Sequence, residues 1–303
     1  MQASVSVVIC TYQGAAYVAA QVQSILAQTY PLYEIIILDD ASTDNTYALL
    51  QDLSRLDIRI QLYRNEKNIG YNANFEKGIR MASGEYIAIA DQDDIWEPEK
   101  ISKMMNTLQP DTVLIYCDSV RFSTTLPNNP QPNKKNRRIE GKDPELFAMF
   151  NTVSGHASIA KTSFVKSVLP FPEKVYYDWW LAINATLSGG IQFLPFIGVY
   201  QRMHDQNITI QTGLSEREHR RRYRDMLSHH LEAFAQIPSL SEANRAFFQQ
   251  FHQLWQHSLD HKWNLRLFCF LLRHHRKLFF YKVRRIPVIS AFKVSFLFCF
   301  RWD

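Results

Sequence analysis

Paired cysteines are missing. The four thiols (Cys10, Cys117, Cys269 and Cys299) are scattered over 303 residues with no C-x-x-C spacing. That argues against a zinc site or a disulfide framework and suits a reducing compartment. The thiols read instead as small buried hydrophobes. No signal peptide is read at the start, where the first residues run directly into "SVSVVIC". No G-x-G-x-x-G follows that first apolar run; Gly14 stands alone, which counts against a dinucleotide oxidoreductase. No apolar stretch approaches the roughly 20 residues that span a bilayer. Internal repeats and recognisable nucleic-acid modules are also missing, so no nucleic-acid partner is expected.

What is present is a chain with a core and a lopsided charge. Hydrophobic residues make up 46% and charged residues 21%, enough for one large domain or a domain with an appendage. Residues 261–303 carry ten Lys or Arg and one acid, Asp303. That is +9 within a whole-chain +5, which leaves the first 260 residues at −4. Two different jobs are expected of the two parts.

The first 120 residues alternate apolar strands with amphipathic helices. Strands are predicted at 4–10, 34–40, 58–65, 84–91 and 112–120, and helices at 15–28 and 71–82. Another helix follows Ser42 or Thr43, either of which can cap it. Strands this apolar are covered on both faces, as in a mostly parallel sheet with flanking helices. Residues 123–142, rich in Pro and Asn, read as a mobile loop. Its basic cluster (Lys134, Lys135, Arg137, Arg138) reads as solvated rather than as a binding site. Beyond it a helix is predicted at 177–190, strands at 191–195 and 198–204, and polar amphipathic helices over 215–260.

In open α/β sheets ligands bind beyond the carboxyl ends of the strands. The residues in those positions are Thr11 to Gly14, Asp39 to Ser42, Arg64-Asn65 with Asn68 to Gly70, and Asp91 to Asp94. In "YIAIADQDDIW" the side chains of Asp91 and Asp93 share one side of an extended stretch. Two carboxylates so close need a proton or a cation between them. Oxygen ligands suit Mg²⁺ or Mn²⁺, held jointly with a diphosphate. The bland alternative is a solvated turn with helix-capping acids, and Asp94 is assigned to it. Asp39 and Asp40 can accept hydrogen bonds from a base or ribose, or one of them can cap the next helix. Asp178, among the aromatics of "YYDWWLAI", is either a desolvated general base or an N-cap. His204, in "QRMHDQN", is a ligand for metal or phosphate, or a structural histidine.

Taken in order, "VVICTYQG", "IIILDDASTDNT", "RNEKNIGYNANFEKGI", "ASGEYIAIADQDDIW" and "YYDWWLAI" resemble the inverting family 2 glycosyltransferases of the GT-A fold. The resemblance covers residues 4 to 210. "DQDDIW" with the later "DWW" is most similar to the rhamnosyltransferase-type branch of bacterial surface polysaccharide synthesis. It implies that Thr11 and Tyr12 line a nucleotide pocket, with Asp39 and Asp40 at the base and ribose. Arg64 and Gly70 border the nucleotide, and Asp91 touches the ribose side. It implies Asp93 and His204 as ligands of a divalent cation, Mn²⁺ or Mg²⁺, and Asp178 as general base. The donor is then a UDP- or dTDP-sugar, and the acceptor a hydroxyl of a growing, lipid-linked glycan. The Q-x-x-R-W motif of processive members is missing; "YQRMHDQ" stands there, which fits an enzyme adding one sugar.

The expected division is a catalytic domain over 1–212 (nucleotide half 1–120, acceptor half 121–212) and a helical, basic region over 213–303. The tail from 261 mixes Phe and Leu with cations, as in helices that lie on anionic membranes. The expected location is peripheral, on the cytoplasmic face of the inner membrane. The alternative is helices packed on the catalytic domain or on a second copy of the chain. Two rival functions stand beside the transferase: a nucleotide-sugar-binding subunit without catalysis, and a sugar nucleotidyltransferase. The latter needs a Gly-rich basic loop after the first strand, and "CTYQGAAY" has one glycine and no Lys or Arg.

Overall fold

The computed structural model describes residues 2–132, 134, 136–205, 207, 215–261 and 263–300. The chain opens as β1 (Val5–Thr11), α1 (Val18–Leu26), β2 (Glu34–Asp39), α2 (Thr46–Leu56), β3 (Ile60–Arg64), α3 (Tyr71–Met81) and β4 (Tyr86–Ala90). These four strands form a parallel block in the order β3-β2-β1-β4. Ile35, Ile36, Ile37 and Leu38 are fully buried, because α1 and α3 cover opposite faces. Each such side chain contributes about 2 kcal/mol on burial. Gly78 lets α3 come close to the sheet: a Cβ there would meet Val8 Cγ1 at 2.6 Å.

The chain leaves β1 toward β2 on one side and reaches β4 on the other. The carboxyl ends of β1 and β4 therefore flank the point where strand order reverses, which is where a crevice opens.

The sheet then turns mixed. Next come β5 (Ile95–Trp96), α4 (Lys100–Thr107), β6 (Leu114–Phe122), β7 (Ser158–Lys161), α5 (Thr162–Ser167), α6 (Tyr177–Ser188) and β8 (Ile191–Arg202). Strand β7 runs antiparallel to both β4 and β6, while β6 and β8 pair in parallel. The two strands predicted at 191–195 and 198–204 are one. Pro195 and Gly198 shift the register against Asp118 without ending the pairing. The basic cluster of the 123–142 segment is not simply solvated. Arg138 is mostly buried in an ion pair with Asp118, and the Arg137 N–H donates to Tyr281 O at 2.7 Å. A carboxylate at 4% exposure needs that cation. Lys135 lies outside the described residues.

Among the described residues, five helices follow: α7 (Glu216–Ala235), α8 (Glu242–Asp260), α9 (Leu265–Arg273), α10 (His275–Leu278) and α11 (Pro287–Cys299). Helix α7 starts with a capping box in which Ser215 and Glu218 satisfy each other's backbone N–H groups. Its Leu227, Leu231 and Phe234 share one core with Trp179 of α6, Trp255 of α8 and Leu271 of α9. The Arg224 guanidinium, almost fully buried, donates to Ser258 O and to Phe298 O, each at 2.6 Å, and so ties α7 to α8 and α11.

Candidate active site

A cavity of about 820 Å³ opens at the carboxyl ends of β1 and β4, within the range of small-ligand sites. Of the residues singled out in the sequence, Thr11, Tyr12, Asp40, Gly70, Asp91, Asp93, Asp178 and His204 line it. Asp39 and Arg64 do not. They stand behind it as a pair, Arg64 Nε 3.4 Å from the fully buried Asp39 carboxylate. Asp39 also accepts from Thr11 Oγ1 at 3.2 Å and from the Ser42 N–H at 3.0 Å, so it braces the two loops that follow β1 and β2.

Asp40 faces the cavity while holding the loop before α3. Its Oδ1 accepts from Asn65 Nδ2 (2.8 Å) and the Ile69 N–H (2.9 Å), and its Oδ2 from the Gly70 N–H (3.0 Å). Gly70 has φ +84°, a left-handed value that favours glycine there. The loop after β1 is pinned from the other side. Gln92 exchanges two hydrogen bonds with the backbone of Tyr12, at 2.9 and 3.0 Å.

The acids after β4 divide into two groups. Asp93 faces His204: its Oδ2 lies 2.8 Å from His204 Nε2 and accepts from Asn207 Nδ2 at 3.2 Å. The His204 ring stacks on Tyr17 with centroids 4.5 Å apart. Burial, aided by the charge of Asp91, pushes the Asp93 carboxyl above its ordinary pKa.

Asp91 and Asp94 face His156. Its Nδ1 is 3.1 Å from Asp91 and 3.4 Å from Asp94. Asp94 is therefore no solvated capping acid. It is 1% exposed, accepts from the Arg202 N–H at 3.1 Å, and leaves Glu99 at the N-cap of α4. Burial raises its pKa. Burial alone would push His156 down, but Asp94 and Asp91 outweigh it and raise the imidazole to about 9. Beneath them the fully buried Lys100 donates to His156 O at 2.6 Å and sits 3.3 Å from the centre of the Trp96 ring; burial pushes its ammonium down to about 7.

Asp178 enters the cavity from the first turn of α6, whose N-cap is Tyr176; it is not itself the cap. Burial raises its carboxyl to about 6, while N–H groups of Trp179 and Gly155 pull the other way. The indoles of Trp179 and Trp180 fix the helix by donating to Phe147 O (2.8 Å) and Val168 O (2.9 Å).

Two of these groups have the chemistry to hold a divalent cation. Asp91, Asp94 and His156 offer ligand atoms within 4.8 Å of one another. An ion there would have to displace the proton that His156 shares with Asp91 and Asp94. Asp93 and His204 offer an oxygen and a nitrogen 2.8 Å apart. Neighbouring ligands on one octahedral ion, each bonded at about 2.1 Å, stand about 3 Å apart. The spacing in this pair, and the 3.1 Å between His156 and Asp91, are both compatible with a shared ion.

The sequence profile of glycosyl transferase family 2 matches residues 6–169 of the chain. An uncharacterized glycosyltransferase of Haemophilus influenzae is 39% identical over 105 residues, 35% of this chain and 32% of that protein. The chain matches only 32–40% of the length of three such curated relatives, the Haemophilus protein among them. The UDP-Glc:α-D-GlcNAc-diphosphoundecaprenol β-1,3-glucosyltransferase WfaP of Escherichia coli is 27% identical over 212 residues, 68% of this chain and 79% of its own. Among solved structures, residues 1–349 of S. aureus TarS with UDP-GlcNAc superpose with TM-score 0.61 at 16% identity, over 96% of this chain and 90% of TarS. The mannosyltransferase PcManGT of Pyrobaculum calidifontis, in complex with GDP-Man and Mn²⁺, superposes with TM-score 0.58 at 16% identity, over 97% and 80%. The fold is GT-A-like.

Proposed function

The chain belongs to glycosyl transferase family 2, and from that premise we propose an inverting, metal-dependent transferase that adds a single sugar. The donor is a nucleotide-diphosphate sugar, UDP- or dTDP-linked. The acceptor is a hydroxyl of a growing, lipid-linked glycan in surface polysaccharide synthesis, of lipopolysaccharide O-antigen type. The observation that carries this reading is the meeting of Asp178, from α6, with Asp91 and Asp93, from the end of β4, in one cavity. The printed activity of the Escherichia coli relative, from UDP-Glc to a diphosphoundecaprenol-linked sugar, supports the donor and acceptor classes.

In this reading Thr11, Tyr12, Asp40 and Gly70 border the base and ribose, with Asp39 and Arg64 bracing them from behind. Asp91 meets the ribose side. Asp93 and His204 hold Mn²⁺ or Mg²⁺, which when bound supplies charge neutralisation to the departing diphosphate. Asp178 takes the proton from the acceptor hydroxyl as that oxygen attacks the opposite face of the sugar, so configuration inverts in one displacement. The leaving group is good enough that no protein nucleophile is required. The catalytic unit is assigned to residues 1–212. The region 213–303 is assigned to support it and to meet the cytoplasmic face of the membrane peripherally; no described helix is long and apolar enough to cross a membrane.

Donor screening by thermal shift with Mn²⁺ tests the premise. A UDP- or dTDP-sugar is expected to raise the melting temperature, and a chelator to abolish the shift. Asp93→Asn should lose that metal-dependent shift while staying folded. Asp178→Asn should keep it and lose transfer by about 10²–10⁴-fold. Donor binding without transfer or donor hydrolysis across many acceptors would point instead to a binding subunit.

A further inference from the structure

Helix α11 is inside out. Its inward face is made of Ala291, Ser295 and Cys299, at i, i+4 and i+8, exposed by 1%, 0% and 2%. Its outward face shows Ile289 (64% exposed), Phe292 (53%) and Leu297 (51%), and the first turn shows Val288. The approach to the helix exposes Val283 and Ile286 as well. A water-facing helix puts its large apolar side chains inward and its polar ones outward. Here a hydroxyl is buried and a phenylalanine is displayed. The small inner face lets α11 lie close to α9, where Phe268 meets Phe292 edge-on at 5.2 Å, and Arg224 anchors its end through Phe298 O. The helix is therefore held with its apolar side out.

The segment that carries that face has one sign of charge. Arg284, Arg285 and Lys293 are exposed, as are Arg266, Arg273 and Arg276 on the neighbouring elements, and residues 261–300 contain no acid. Trp263 is also exposed, and aromatic residues of that kind favour a membrane boundary.

We propose that α11, with the segment 283–286 leading into it, is a monolayer-docking element. Its apolar face enters the acyl boundary of an anionic leaflet, and the flanking arginines and Lys293 meet lipid phosphates. The proposal rests on the lipid-linked acceptor of the preceding reading and names the surface that brings the cavity to it. At 13 residues α11 is about 20 Å long, too short to span and suited to lying in the plane. A second copy of the chain fits poorly. A two-fold contact would set the same cations of both copies against each other.

The test is sedimentation of the full-length protein with vesicles of neutral phosphatidylcholine, and with vesicles about a third phosphatidylglycerol. Binding is expected to the anionic vesicles only, and to weaken with salt. Ile289→Glu with Phe292→Glu should reduce it about tenfold or more, with melting temperature and UDP-sugar binding unchanged. Arg284→Glu with Arg285→Glu should weaken it and flatten the salt dependence. Failure of the wild type to bind anionic vesicles overturns the proposal. So does unchanged binding by the Ile289/Phe292 variant, or a dimer in solution that this variant dissociates. Vesicle binding needs neither donor nor acceptor, so a failure here leaves the transfer assay standing, and a failure of transfer leaves this one standing.

Discussion

At the scale of single residues, His156 is the cation that lets Asp91 and Asp94 lie together. Removing one partner of a buried ionic pair leaves the other charged and unpaired, at a cost of about 3 kcal/mol. His156→Ala should lower the unfolding free energy read from urea titration by that order. Adding Asp94→Asn should recover part of the loss, because the two residues are coupled; strictly additive losses would show that they do not act on each other. Asp178 gives a second expectation. A general base must be ionised, and burial has moved this carboxyl up to about 6. Transfer should therefore fall about tenfold per pH unit below about 6, rather than below the ordinary carboxylate value of about 4. A limb near the lower value in kcat against pH would mean that the base is solvated. Asp91, Asp93 and Asp178 are legible in the sequence because each follows a strand or opens a helix in a recognisable string. His156 is not: it is a lone histidine 65 positions from its partner, and no local pattern marks it. Asp94 misleads for the related reason that exposure cannot be read from a turn.

At the scale of elements, the helix carrying Asp178, the proposed general base, is clamped from the C-terminal region. The His230 Nδ1–H of α7 donates to Met226 O at 2.8 Å, and its Nε2 accepts from the Tyr176 N–H at 3.1 Å, at the N-cap of α6. Both nitrogens are used by a neutral ring, and burial pushes its pKa from 6.5 to about 4. The fold therefore favours the unprotonated form. Its contribution is complete above pH 6.5 and fades as pH falls toward about 4, by up to about 3 kcal/mol. His230→Gln keeps an acceptor for Tyr176 and removes the titration. Between pH 7 and 4.5 its melting temperature should drop less than that of the wild type; parallel curves would refute the clamp. The parallel block β3-β2-β1-β4 is legible because β1, β2 and β4 are nearly continuous apolar runs, while β3 alternates in Ile60, Gln61 and Leu62. Strand β7 is not, because four residues between a short helical turn and α5 leave too little pattern to read. Their pairing comes from β4 and β6, far away in sequence.

At the scale of the whole molecule, the basic tail divides into a part that packs in the core and a part that faces outward. Leu267, Phe270 and Leu271 of α9 lie in the same core as α7 and α8, while α11 shows its apolar side to the outside. Phe270 packs on Phe247 and Phe251 at 5.4 and 5.1 Å, and Phe298 on Trp255 at 5.4 Å. Charge count alone cannot divide such a segment, because the cations sit on exposed positions of helices whose other faces are buried. Removing residues 261–303 should therefore not yield a soluble catalytic domain that merely ignores membranes. The lost core side chains Leu267, Phe270, Leu271 and Leu278 are each worth about 2 kcal/mol, which takes much of a margin of about 5–15 kcal/mol. Newly bare Phe247, Phe251 and Trp255 would add an exposed apolar patch. The truncated protein should aggregate on size exclusion and bind a hydrophobic dye, whereas Ile289→Glu with Phe292→Glu should remain monodisperse with its melting temperature intact. If the truncated chain were instead monodisperse and bound donor normally, the shared core would be dispensable, and the tail would be an appendage in the simple sense that its composition suggests.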